Sequence, residues 1–136
     1  MRYEAKVKYM KLNEISGKEQ NITESYIIRQ AETFADAEAQ TFIYMEERTP
    51  QTVIPAIKIS DIEEIYDGAG DWYYKARIVS STIDEINGKE TQISVILLIQ
   101  KNNFQDALEE CISWMSGSLF DCEVVSLTKT KIVDII

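Results

Sequence analysis

The sequence predicts an α+β fold: a tandem duplication of a ββαβ unit, giving about six mostly antiparallel strands with two helices packed on one face. Three observations carry this expectation. Residues 3–65 and 74–135 hold one pattern twice, offset by 71 positions early and 70 later. Stretches of period-two alternation surround Gly-containing turns in both copies. Each copy then runs into an amphipathic stretch headed by a capping residue.

At the first offset Tyr3, Ala5, Glu14, Gly17, Lys18, Glu19, Ile22 and Ile28 recur as Tyr74, Ala76, Glu85, Gly88, Lys89, Glu90, Ile93 and Ile99. At the second, Phe34, Asp36, Ala37, Met45, Ile62 and Ile65 recur as Phe104, Asp106, Ala107, Met115, Ile132 and Ile135. The whole chain reads as a single domain of two pseudo-repeats joined by a Gly-containing connector at residues 66–72.

Along residues 3–12, Tyr3, Ala5, Val7 and Tyr9 alternate with Glu4, Lys6 and Lys8, the pattern of a strand with one buried face. Ser16-Gly17-Lys18 makes a turn, and residues 21–31 return as a second strand. In the other copy residues 74–83 and 91–100 form the equivalent hairpin, with Asn87-Gly88 as a turn in which both residues tolerate positive φ. Thr33 ahead of Asp36, and Asn103 ahead of Asp106, mark helix starts: the first side chain accepts from an unpaired N–H, and the carboxylate suits the positive helix end. The stripes Phe34, Ala37, Thr41, Phe42, Met45 and Phe104, Ala107, Cys111, Ile112, Met115 then define one core-facing side of each helix. A further strand follows each helix, at residues 53–59 and 123–129, and Pro55 assigns the first of these to a sheet edge.

Composition narrows the function classes. Apolar residues make up 45% and charged residues 27% of the 136-residue chain, as in globular proteins. A net charge of −9 argues against nonspecific nucleic-acid binding, which needs Lys and Arg on phosphates. No N-terminal stretch has a signal peptide layout, and no apolar run is long enough to span a bilayer, so a cytoplasmic location without membrane association is expected. With no histidine and two cysteines, the usual zinc tetrads and a Ser-His or Cys-His nucleophile are out of reach. Cys111 reads as a buried core thiol and Cys122 as the start of a strand. The acidic run Asp61, Glu63, Glu64, Asp67 and Asp71 lacks the spacing of a calcium loop and reads as a solvated linker. No catalytic residue, metal site or cofactor is expected.

Two features point to binding. Residues 95–99, Val-Ile-Leu-Leu-Ile, are apolar on both faces, where the other copy has the more mixed Glu24-Ser25-Tyr26-Ile27-Ile28. Two helices cover one face only, so Ile27, Ile96 and Leu98 are expected to meet a second copy of the chain in a homo-oligomer. Lys6 and Arg77 occupy matched positions, with Lys8 and Lys75 nearby, and pseudo-symmetry would gather them into an anion-binding groove. Trp72 and Tyr73 would offer a stacking surface for a base.

Residues Ile22-Thr23-Glu24-Ser25-Tyr26-Ile27-Ile28, then Ala31 and Phe34-Ala35-Asp36-Ala37-Glu38-Ala39, resemble an uncharacterised family of short proteins found in gut bacterial genomes and their phages. The family pattern is T-E-x-Y-L-V-x-A-x-S-F-x-x-A-E-A-R. This chain departs from it at Thr33, where Ser is usual, and at Gln40, where a basic residue is usual. The resemblance implies a phage or mobile-element context and carries no assigned activity.

These readings lead to a non-enzymatic, oligomeric binding protein that sequesters a small nucleotide-like anion. The competing readings are a protein-interaction or structural accessory that meets a host or phage protein without a small ligand, and an acidic mimic of nucleic acid.

Overall fold

The alternating residues fold into the hairpin of β1 (Tyr3–Leu12) and β2 (Glu19–Ile28) in the computed structural model, which describes residues 1–49, 51–118 and 120–136. α1 (Phe34–Glu46), β3 (Val53–Ile59) and β4 (Glu64–Tyr66) follow. The second half repeats that order as β5 (Trp72–Ile83), β6 (Glu90–Lys101), α2 (Phe104–Ser116), β7 (Asp121–Lys129) and β8 (Ile132–Ile135). The class is α+β, with two helices and eight strands among the described residues. The chain divides into two compact units, Met1–Asp61 with Lys131–Ile136, and Ile62–Thr130.

Each unit is a four-stranded sheet carrying one helix. The first has the order β3-β1-β2-β8 and the second β4-β6-β5-β7. The expected single six-stranded sheet is therefore corrected to two sheets of four. The added strands are β4 and β8, which run parallel to β6 and β2 respectively. They are 3 and 4 residues long, too short to show alternation, and their partners lie far away in sequence. The last strand of each half thus completes the sheet built from the other half's hairpin.

In the first unit Tyr3, Ala5, Ile28, Ala31 and Ala37 form one buried cluster, and Val7, Tyr26 and Met45 another. In the second, Ala76, Ile78, Leu97, Ile99 and Cys111 are the counterpart. Small residues at Ala5, Ala37 and Ala76 let helix and sheet approach closely. This narrows the helical stripes: Phe42 and Ile112, expected in the core, are exposed. Phe34 and Phe104 are half-exposed and lie edge-on against Tyr3 and Tyr74, with ring centroids 5.0 and 6.5 Å apart. The Thr41 hydroxyl donates to the Ala37 carbonyl at 2.8 Å, so the buried polar group has its partner. Cys111, at the matching helical position, is fully buried, and burial pushes its thiol pKa up, with the Glu110 charge adding to the shift. Both cysteines are free thiols.

The caps form as the sequence indicates. The Thr33 side chain accepts from the Asp36 amide at 3.0 Å, and Asn103 from the Asp106 amide at 2.9 Å. The turns are wider than a two-residue Asn-Gly turn. Asn13 and Asp84 close six-residue loops by accepting from the amides of Gly17 and Gly88 at 2.8 and 2.7 Å. Only the glycine of Asn87-Gly88 has positive φ, 69°, matching 70° at Gly17. Pro55 lies on the edge strand β3, where the register with β1 shifts between Lys6 and Lys8. A missing donor is tolerated at such an edge irregularity. Its counterpart Val125 is the extra residue where β7 slips against β5. No helix among the described residues is long and apolar enough to cross a membrane.

Candidate functional site

Alternation along β5 turns Ala76 and Ile78 toward α2 and leaves Arg77 on the opposite, outer face. There the guanidinium Nη2 donates to Ser94 Oγ at 3.2 Å across the β5–β6 pair. Arg77 lines an open cavity of about 430 Å³ with Val79, Ser81, Gln92, Asp121 and Glu123 among its walls. One cation, a hydroxyl and an amide therefore face two carboxylates. That arrangement suits an anion that also carries hydrogen-bond donors.

Lys6 holds the matched place in the first unit. It lines a cavity of about 180 Å³ with Glu4, Ser25, Ala56 and Lys58. Glu4 is engaged by Lys58, with Nζ 3.1 Å from the carboxylate. That hydrogen bond and charge raise the Lys58 pKa, while burial opposes them. Lys6 is the further cation on this face, and Lys8 stands two residues along the same side of β1, exposed.

The other expected site residues are placed differently. Lys6 and Lys8 belong to the first unit, and Trp72, Tyr73, Lys75 and Arg77 to the second. Tyr73 is 5% exposed and has no ring face to offer a base. Its carbonyl accepts from the amide and hydroxyl of Thr130 at 2.9 and 2.8 Å. Trp72 is half-exposed, but the Lys129 ammonium sits 3.3 Å from its ring centroid and occupies one face. Lys75 alternates with Tyr73 and Arg77 on the outer face of β5.

Ile27 and Leu98 are fully buried within one chain, and Ile96 is partly buried. This removes the ground on which a second copy was expected to cover them. The contrast between residues 24–28 and 95–99 has another physical basis. The Glu24 carboxylate accepts from both the Tyr9 and Tyr26 hydroxyls, at 2.6 and 2.7 Å. The matched residues Ser80, Val95 and Leu97 cannot build such a network. Burial first, and then the Glu24 hydrogen bond and charge, push the Tyr9 pKa up to about 12 and move Tyr26 in the same direction.

Sequence reasoning did not identify Ser81, Gln92, Ser94, Asp121 or Glu123. The β5–β6 register brings Ser81, Gln92 and Ser94 together, and the slip of β7 at Val125, for which the sequence carries no local signal, brings in Asp121 and Glu123. The Tyr9-Glu24-Tyr26 network did leave a trace, as Glu24 and Tyr26 stand where the other copy has the apolar Val95 and Leu97. Among the described residues no group of three or more Cys, Asp or Glu side chains is placed to hold a metal ion.

Neither the curated proteins nor the solved structures include a match to this chain. Over residues 1–136 it matches the family model described as a domain of unknown function, DUF4494, and it belongs to that family.

Proposed function

We propose that this is a non-enzymatic binding protein that holds a small nucleotide-like anion on the outer face of the β5–β6–β7 sheet. The observation that carries this reading is Arg77, held by Ser94 at 3.2 Å and facing an open polar cavity. A phosphate would pair with the guanidinium, and Ser81 and Gln92 would donate or accept around it. Asp121 and Glu123 would take the ligand's own donors, such as ribose hydroxyls or base amino groups. The carboxylates select against anions without donors, because such ligands would meet uncompensated negative charge.

The repeated ββαββ order supports an origin by tandem duplication, with Lys6 as the residue equivalent to Arg77. In the phage or mobile-element setting that the family resemblance implies, such a protein would sequester a host signalling nucleotide.

Calorimetry against linear and cyclic nucleotides tests the reading. At least one ligand should bind, and Arg77→Glu should abolish that binding while Lys6→Glu reports whether the first unit contributes. No binding at millimolar ligand, or binding that Arg77→Glu leaves unchanged, would sink it.

A further inference from the structure

Lys6 and Arg77 hold matched positions, yet the cavities beside them are not two copies of one site. Lys6 faces outward on β1, since Ala5 and Val7 on either side of it pack with Ala37 and Met45 of α1. Directly opposite it stand Ser25 on β2 and Ala56 on β3. Two small side chains beside a long one leave a hollow, and the cavity of about 180 Å³ lies there. Glu4 and Lys58, the next pair along the same face, complete its wall.

The second unit closes this place. Opposite Arg77 stand Ile96 and Ser126, and neither lines the Arg77 cavity, which lies toward the hairpin turn beside Val79, Ser81 and Gln92. A branched isoleucine takes the room that Ser25 leaves open. The charges differ as well. At Arg77 one cation faces Asp121 and Glu123. The hollow of the first unit has two cations and a single carboxylate, Glu4, which Lys58 already holds at 3.1 Å. The Lys6 ammonium has no hydrogen-bond or ion-pair partner among the described residues, and neither has the Ser25 hydroxyl. The hollow is also smaller than the roughly 300 Å³ at which pockets for drug-sized ligands begin.

We propose that the first unit carries a second, separate site, and that it takes a compact oxyanion: a phosphate group, either free or at the end of an ester. Lys6 supplies the positive charge and a donor, and Ser25 donates a second hydrogen bond. Lys58 neutralises Glu4, so the carboxylate does not repel the anion. Lysine serves here as a point charge, because a compact ion in a shallow hollow needs no bidentate fork. The two cavities share no residue, so the inference stands or falls apart from the Arg77 reading.

The test is a titration of the isotope-labelled full chain with inorganic phosphate at constant ionic strength, followed by backbone amide shifts. Millimolar phosphate should shift the amides of Lys6, Ser25 and Ala56 saturably and leave those of Ser81 and Gln92 in place. Lys6→Gln should weaken this binding by roughly tenfold, as the loss of one hydrogen bond to a charged group does. Its thermal melt should match the parent, since the side chain is exposed. Lys58→Gln should weaken binding too, by leaving Glu4 to face the anion, whereas Arg77→Glu should leave it unchanged. Glycerol phosphate that competes for the same shifts identifies an ester terminus as the occupant, and failure to compete identifies the free ion; the site stands in both cases. Shifts that chloride reproduces, no saturable shift at these three residues, or binding that survives Lys6→Gln would each overturn the inference.

Discussion

The Tyr44 hydroxyl donates to the Asp134 carboxylate at 2.8 Å and so ties α1 to β8. The second unit repeats the relationship with different chemistry: Trp114 Nε1 donates to Glu64 at 2.9 Å and ties α2 to β4. Both pairs sit at the same offset of 70 positions. Each short parallel strand is thus secured by its backbone ladder and also by a side-chain bond from the helix above it. A three- or four-residue strand buries too little to hold its place by packing alone, so the extra bond matters more here than in a long ladder.

Tyr44→Phe should destabilise the first unit by about 1–2 kcal/mol, the range for a lost hydrogen bond to a charged group that is partly buried. A double-mutant cycle with Asp134→Asn should return a coupling near 1 kcal/mol. The Trp114–Glu64 pair is exposed, and water competes for it. Its cycle, with Trp114→Phe and Glu64→Gln, should return a coupling below about 0.5 kcal/mol. Urea denaturation measures both, and equal couplings would show that exposure does not set the difference.

The Tyr9-Glu24-Tyr26 network predicts alkaline sensitivity. Folding raises the Tyr9 pKa from 10.0 to about 12, and the protonated phenol is the form that the fold favours. Its contribution is therefore complete below pH 10 and is lost as pH rises from 10 through about 12. Ultraviolet titration of the tyrosinates should find at least two of the seven titrating late in the folded protein. Glu24→Gln should lower the Tyr9 midpoint only part of the way to 10, because burial is the largest cause and remains. A midpoint that does not move would remove Glu24 from the account.

Thr33→Ala and Asn103→Ala should each cost about 1 kcal/mol, since each leaves a first-turn amide without its acceptor. Thr33→Ser should be near neutral, because the hydroxyl is retained. Thermal melts of the three variants decide this, and a neutral Thr33→Ala would mean that Asp36 alone sustains the helix start through the Glu32 amide it accepts at 3.1 Å.

The elements that sequence reasoning located are those whose signals are local. Alternation set β1 to residues 3–12 and the caps set both helix starts, because each depends on neighbours a few residues away. β4 and β8 left no comparable mark: their pairing with β6 and β2 is a long-range contact. The helical stripes were read too wide because period alone does not reveal that alanines bring helix and sheet together, leaving Phe42 and Ile112 outside. Arg77 and Lys6 were legible through the repeat. Asp121 and Glu123 were not, since the slip at Val125 decides which β7 side chains reach Arg77. Ile27 and Leu98, expected on a face open to another copy, are buried within one chain, and how far a side chain is withdrawn from solvent is a property of the folded chain.

The connector offers a paired test in which two nearby glycines have opposite fates. A Cβ at Gly70 would stand 2.7 Å from the Lys101 Cα and 2.8 Å from its backbone nitrogen and carbonyl carbon, closer than van der Waals contact allows. Backbone on both sides leaves nothing flexible to yield. The Gln100 side chain also fixes the segment, accepting from the Gly68 amide at 2.9 Å and donating to the Gly70 carbonyl at 2.8 Å. Gly70→Ala must therefore push the connector off β6 or strain it, at a cost of about 1–3 kcal/mol. A Cβ at Gly68 meets nothing within 4 Å. Gly68→Ala should stay within about 0.5 kcal/mol of the parent. Denaturation midpoints of the two variants measure the contrast, and a tolerated Gly70→Ala would show that the connector is free to lift away from Lys101.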